Sequence, residues 1–412
     1  MKFVIPALSA LLLTLCCGRR AEGGAPQLLR APYLQMALGD SMTVRWRTDR
    51  GTAARVEYRT SDGRWLATEG AVRLTNTGVM ENEVVLKDLR PGARYDYRVF
   101  TDGGRMDDGP VSFVSPLSDT ARQLRFFAVG DIGEPEETEG TPGWLNDALV
   151  RDTVTYQFGL LLGDIVYPDG ASERYDANLF RHFRTYFPTT PTFPVLGNHD
   201  WHDPEDNYLR EWRVPGNGHY YAFRSGNVRF IALDTGPNGE LYDPERQVPW
   251  LRQQLDARPR GVDWTVVFLH HNGNSCTYKT DYAAVVALYP LFTASGVDLV
   301  LNGHAHTYER LRPLGRDGEA VDSAPAQDSV YRDPAGFVSI TVGSGGKLRG
   351  TKGDPTPYTP DPEGCMHPGL VARAVHDWAY LGLEVDGNRL RGTAYRTRDN
   401  AVVDAFEIVK ED

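Results

Sequence analysis

Cysteine is scarce. The 412 residues hold four, at Cys16, Cys17, Cys276 and Cys365. The first two fall beside an apolar N-terminal run, so one bridge, Cys276 to Cys365, is open to the rest of the chain, with two free thiols as the alternative. No uninterrupted apolar segment is long enough to cross a bilayer. The run over residues 3–15 follows Lys2 and precedes Cys16, Cys17 and Gly18. It reads as an export signal over residues 1–20, with cleavage near Gly18 and lipid attachment at Cys16 as competing outcomes. The expected location is periplasmic, secreted or envelope-anchored. An excess of positive charge is also missing. Lys plus Arg number 44 against 55 Asp plus Glu, a net charge of −11, which argues against a nucleic-acid partner. An anionic substrate stays open, because bound metal ions can dominate a local field. No internal repeat or long low-complexity tract occurs. Gly346-Lys347 is followed by Leu348 rather than Ser or Thr, which excludes a phosphate-cradling P-loop; Lys347 is expected to be solvated.

What is present divides into two textures. Residues 28–115 read as an all-β sandwich. Met42, Val44 and Trp46 alternate with Thr43, Arg45 and Arg47, the pattern of a strand with one buried face. Leu89, the Pro91-Gly92 turn and Tyr95 resemble the tyrosine corner of immunoglobulin-like and fibronectin type III sandwiches.

Residues 123–412 alternate apolar runs with helical patterns, the signature of an α/β layered domain. The runs at 124–129, 158–162, 192–196, 228–233, 264–269 and 297–301 fit strands buried on both faces. Leu179, Phe183, Tyr186 and Phe187 share one helical face. Asp243 is placed as an N-cap with Pro244 at the first helical position. The Pro-, Gly- and Asp-rich stretch 349–368 is a long loop, of the kind that is functional or mobile.

Five strand ends carry metal-ligating types. These are Gly130-Asp131-Ile132-Gly133, Gly163-Asp164-Ile165-Val166-Tyr167, Gly197-Asn198-His199-Asp200, His270-His271 and Gly303-His304-Ala305-His306. Ligands gather at strand ends in open α/β sheets, and adjacent glycines let the backbone come close to an ion. Each motif alone is weak; their order and shared setting are not.

This order resembles the calcineurin-like metallophosphoesterases. Tyr167, the motif Val267-Phe268-Leu269-His270 and the leading Ala31-Pro32-Tyr33-Leu34-Gln35 resemble the purple acid phosphatase branch. The resemblance implies a β-sandwich flanked by helices for the second domain. It also implies two ions bridged by Asp164, Fe(III) with Asp131, Tyr167 and His306, and Zn, Mn or Fe(II) with Asn198, His270 and His304. Hard anionic donors suit the trivalent ion, and an amide with two imidazoles suits the divalent one. The implied reaction is hydrolysis of a small-molecule phosphate ester by a metal-bound hydroxide, with the ions about 3.5–4 Å apart. A monoester is the leading substrate, a diester or nucleotide the rival. A surface-binding protein with structural metals is the reading from another class.

His199 is implied as a substrate contact, and Asp200 as a group orienting a histidine. Many relatives carry a second histidine a few residues beyond Val-x-x-His. None stands between Asn272 and Gly303 here, so His202 is assigned to leaving-group protonation. His182 is expected on the surface, His219 and His376 in structural roles, and His271 turned away from the ions. His367 is left without a role.

Overall fold

The computed structural model describes residues 24–202, 207–257, 259–279, 281–321, 329–355, 367 and 369–411. The export signal, Cys16 and Cys365 lie outside the described residues. Cys276 is disulfide-bonded. No helix among the described residues is long and apolar enough to cross a membrane.

The first eight strands form one antiparallel system. Leu66–Leu74 pairs with Ala54–Thr60 through residues 66–70 and with Met80–Leu86 through residues 71–74. One strand thus joins the two leaves of the sandwich. Met42, Val44, Trp46, Val56, Val84, Tyr97, Val99 and Phe113 fill the space between the leaves. The tyrosine corner forms, with the Arg90 N–H donating to the Tyr95 hydroxyl oxygen at 2.9 Å.

The strand Ser41–Thr48 departs from the expected single buried face. Every residue after Ser41 is buried. Arg45 and Arg47 lie against the second domain; Arg47 pairs with Glu81 on the neighbouring strand at 2.6 Å and with Glu211 of the second domain at 2.8 Å. Arg30 reaches Glu211 at 2.7 Å. An alternating pattern cannot tell a charged face turned to water from one paired inside an interface.

The second domain stacks two seven-stranded sheets face to face. One runs in the order Thr192–Pro194, Phe158–Leu161, Gln123–Val129, Ala379–Asp386, Arg389–Arg396, Val402–Val409, Val330–Arg332. The other runs Tyr221–Ser225, Val228–Ala232, Trp264–Phe268, Leu299–Asn302, Val338–Val342, Tyr308–Leu311, Val371–Val375. Alternate residues of each strand face the inter-sheet core, where Phe126, Phe158, Phe193, Phe223, Phe230 and Phe268 meet. The Phe193 and Phe223 rings stack at 4.1 Å, and Phe126 meets Phe230 edge-on at 5.0 Å. The residues between them, such as Phe127, Val129, Ile231 and Val267, face outward under helices. Both faces of each central strand are therefore buried, which is why these runs are apolar throughout.

The helix Pro244–Asp256 begins where Pro244 fixes φ, as expected. Asp243 is left-handed, at φ 43°, and makes no side-chain cap, contrary to its expected role. The run containing Leu179 is a short helix over Ser172–Arg174 and a wider π turn over Tyr175–Phe180, then hydrogen-bonded turns. Leu179, Phe183, Tyr186 and Phe187 are nonetheless all buried.

Candidate metal centre

The parallel strands of both sheets end at one edge, and each ligand-bearing loop leaves from there. Asp131 follows Gln123–Val129; Asp164 and Tyr167 follow Phe158–Leu161; Asn198 follows Thr192–Pro194. From the other sheet, His270 follows Trp264–Phe268, and His304 and His306 follow Leu299–Asn302. Asp131, Asp164 and His304 have φ of 58°, 50° and 70°. Such left-handed backbone costs energy in residues with a Cβ and concentrates at functional sites. Two glycines are needed for close approach. A Cβ on Gly163 would stand 2.5 Å from His270 Nδ1, and one on Gly197 would strike the Asp164 carboxylate.

Two donor groups share one carboxylate. In the first, the Tyr167 hydroxyl lies 2.8 Å from Asp131 Oδ1, 2.9 Å from Asp164 Oδ2 and 3.3 Å from His306 Nε2. In the second, His270 Nε2 lies 3.2 Å from Asn198 Oδ1, 3.2 Å from His304 Nδ1 and 3.4 Å from Asp164 Oδ1. Asp164 thus presents a different oxygen to each group. All seven predicted ligands are brought together.

The electrostatics fit cations. Burial, and then the charges of Asp131 and Asp164, push the Tyr167 hydroxyl well above its ordinary range. A phenolate there requires a cation to replace its proton. Burial and the neighbouring His270 and His271 hold His304 well below its usual value. His270 is raised to about 9, its burial outweighed by Asp164. Imidazole nitrogens 3.2 Å apart, beside an amide oxygen, form a donor set for a divalent ion, which would displace the proton that Asp164 holds on His270.

The surrounding groups fix ring orientation. His270 Nδ1 bonds the Leu162 carbonyl at 2.8 Å. His304 Nε2 meets the Tyr282 hydroxyl at 2.6 Å, and His306 Nδ1 meets Asp354 Oδ2 at 2.7 Å. In each case the other ring nitrogen is left facing the donor group, as in metal-binding histidines. Sequence reading missed Tyr282, Tyr278 and Asp354. Asp354 sits in the long loop, whose length was the one signal for it.

Other placements differ from expectation. Asp200 orients no histidine; its carboxylate accepts the N–H groups of Gly197 and Ile165 and so ties two ligand loops together. Burial and Asp164 raise it to about 8. Lys347 is buried rather than solvated. Its ammonium lies 3.6 Å from the Tyr167 ring centre and 3.1 Å from Glu134 Oε2. His271 bonds Thr235 Oγ1 at 2.7 Å, yet its ring stays 4.4 Å from that of His304. His271 thus turns aside without leaving the cluster that could hold an ion.

His199 Nδ1 bonds the Pro168 carbonyl at 2.6 Å, and its Nε2 lies 3.9 Å from Asp164 Oδ2. His202 is exposed, its ring 5.0 Å from that of His199. His219 pairs with Asp234 at 2.8 Å, and His376 bonds the Arg349 carbonyl. His182 is partly buried beside Glu136. His367 pairs with Asp281 at 2.7 Å.

A two-sheet α/β domain with convergent carboxylate, phenol, amide and imidazole donors defines a metal-dependent phosphoesterase. Comparison with known proteins makes this specific. Residues 124–308 match the calcineurin-like phosphoesterase family, and residues 31–120 match the purple acid phosphatase N-terminal domain. The chain thus joins a calcineurin-like phosphoesterase domain to a purple acid phosphatase N-terminal domain. It is 26% identical over 344 residues to purple acid phosphatase 18 of Arabidopsis thaliana, covering 77% of this chain and 71% of that one. It is 27% identical over 326 residues to an uncharacterised protein of Mycobacterium tuberculosis, covering 67% of this chain and 60% of that protein. The purple acid phosphatase PPD1 of yellow lupin, Lupinus luteus, shares the fold at a TM-score of 0.78 and 18% identity, over 93% of this chain and 75% of that one.

Proposed function

We propose that the protein is an exported phosphomonoesterase of the acid phosphatase type. Fe(III) is assigned to Asp131, Asp164, Tyr167 and His306. Zn, Mn or Fe(II) is assigned to Asp164, Asn198, His270 and His304. The observation that carries this reading is the Tyr167 hydroxyl, held within 2.9 Å of both Asp131 and Asp164 in a buried site. A phenol wedged between two carboxylates is poorly placed as an acid and well placed as a hard anionic ligand. When bound, the two cations supply Lewis-acid chemistry, acidifying water and neutralising charge on the transferring phosphoryl group.

The chain's own residues do the rest. Asp164 spans both donor groups. His199 donates its Nδ1–H to the Pro168 carbonyl, which turns Nε2 toward the site; as an imidazolium beside the bound phosphate, the ring donates Nε2–H to a phosphate oxygen. His202, beside it at the exposed rim, is assigned the proton for the leaving alkoxide.

The test is a visible absorption spectrum with metal analysis of the purified protein. A tyrosinate-to-iron charge-transfer band that disappears in Tyr167→Phe is the expected result. A colourless, iron-free and active protein overturns the ferric assignment. A panel of monoesters, diesters and nucleotides decides the substrate, with monoesters expected to turn over fastest.

A further inference from the structure

Among the described residues, Lys279 is a charged group near the centre that the site described so far leaves unused. Its side chain is partly buried and makes no ion pair among the described residues. Its ammonium stands 5.4 Å from the centre of the Tyr278 ring. That ring is fixed to the metal centre, because the Tyr278 hydroxyl bonds Asp354 Oδ2 at 3.0 Å and receives the His306 N–H at 3.2 Å. Arg349 packs on the same ring at 3.5 Å. The carboxylates whose charge reaches Lys279 are Asp131, Asp164 and Asp354. Its own charge in turn reaches His271 and His304. The residue therefore lies within electrostatic reach of both donor groups, next to the ring that braces His306 and Asp354.

The other buried lysine of the site makes the contrast. Lys347 has Glu134 at 3.1 Å, so its charge is matched within the fold. Lys279 has no such partner among the described residues. Once two cations occupy the donor groups, the charges of Asp131, Asp164 and the Tyr167 phenolate are taken up by the ions and no longer serve Lys279. A partly buried ammonium at that position is then left without a counter-charge of its own among the described residues. An anion bound at the mouth of the site relieves it.

We propose that Lys279 binds the phosphoryl group of the substrate, donating a charge-assisted hydrogen bond to a non-bridging oxygen. This rests on the phosphoesterase reading above and adds a substrate contact from the loop after His270. The ligand class is a phosphate monoester dianion, whose charge an ammonium complements better than that of a diester. A point charge on a flexible stem suits a group that changes geometry during transfer.

The experiment measures binding of inorganic phosphate to the full-length, metal-containing protein by calorimetry, alongside hydrolysis of a monoester. In Lys279→Met the dissociation constant for phosphate rises about tenfold or more, and in Lys279→Arg it recovers to within about threefold of the parent, as expected for one charge-assisted bond. Metal content stays unchanged in both. Phosphate affinity unaltered in Lys279→Met overturns the proposal. Loss of metal in both Lys279→Met and Lys279→Gln overturns it too, in favour of a structural role. The two readings fail separately. A parent protein that turns over no phosphate ester removes the enzymatic reading, whereas phosphate binding that depends on Lys279 still upholds the anion contact.

Discussion

At the scale of the residue, the site is built from pairs in which one group sets the role of another. His199 and His202 share a turn, and the His202 N–H donates to the His199 carbonyl at 3.2 Å. If His202 protonates the leaving group, His202→Ala lowers kcat on alkyl phosphates about 10²-fold or more and on activated aryl phosphates far less. Steady-state kinetics on the two classes checks this; equal losses count against it. Glu309 gives a pH prediction. Burial raises its carboxyl from 4.5 to about 7, opposed by bonds from Ser275 and Cys276. Between pH 4.5 and about 7 the folded form holds a proton that the unfolded form has released. Stability from this group is therefore present below that window and is lost as pH rises through it, by about 3 kcal/mol in all. Denaturant melts across and just beyond that window are expected to show a shallower decline in Glu309→Gln than in the parent. Of these residues, the motif members were legible because their types and order carry chemistry. Tyr282, Asp354 and Lys279 were not, because nothing near them in sequence says which histidine or ion they meet.

At the scale of the element, the strand Ser41–Thr48 shows where periodicity stops informing. Its Met42, Val44 and Trp46 face was readable. Its Arg45 and Arg47 face looked like a solvated one and is instead the contact with the second domain. Arg47 is held between Glu81 and Glu211, both almost fully buried. Arg47→Met leaves these carboxylates short of a partner and is expected to destabilise the protein by about 3–5 kcal/mol. The guanidinium midpoint of unfolding measures it. Restoring part of the loss with Glu81→Gln in the same chain would show that an unpaired charge, rather than lost packing, is the cause. The strand runs of the second domain were legible for the opposite reason. With both faces buried, they need apolar residues at every position, and such runs stand out without any periodicity.

At the scale of the whole molecule, two sheets and the loops from their common edge hold seven donors that span 176 positions of the chain, from Asp131 to His306. Bound ions therefore tie the two sheets to each other. Stripping the metals with a chelator is expected to abolish hydrolysis and to remove about 4 kcal/mol of stability if the ions are normally present at about a thousand times their dissociation constant. Thermal melting before and after chelation checks this, and adding iron and zinc back is expected to restore both properties. An unchanged melting temperature would mean that the apo site is already held by its hydrogen bonds alone.

Tyr167 marks the division between sequence and structure. Residue order alone was enough for the strand runs, the five motifs at their ends and the donor types, because buried strands need apolar residues and metal ions need particular oxygens and nitrogens. Folding in three dimensions settled which Asp164 oxygen faces which group, that Lys347 lies over the Tyr167 ring, and that Arg45 and Arg47 are interior. Those outcomes depend on the register of two sheets and the docking of two domains. Contacts between residues tens to hundreds of positions apart leave no local pattern to read.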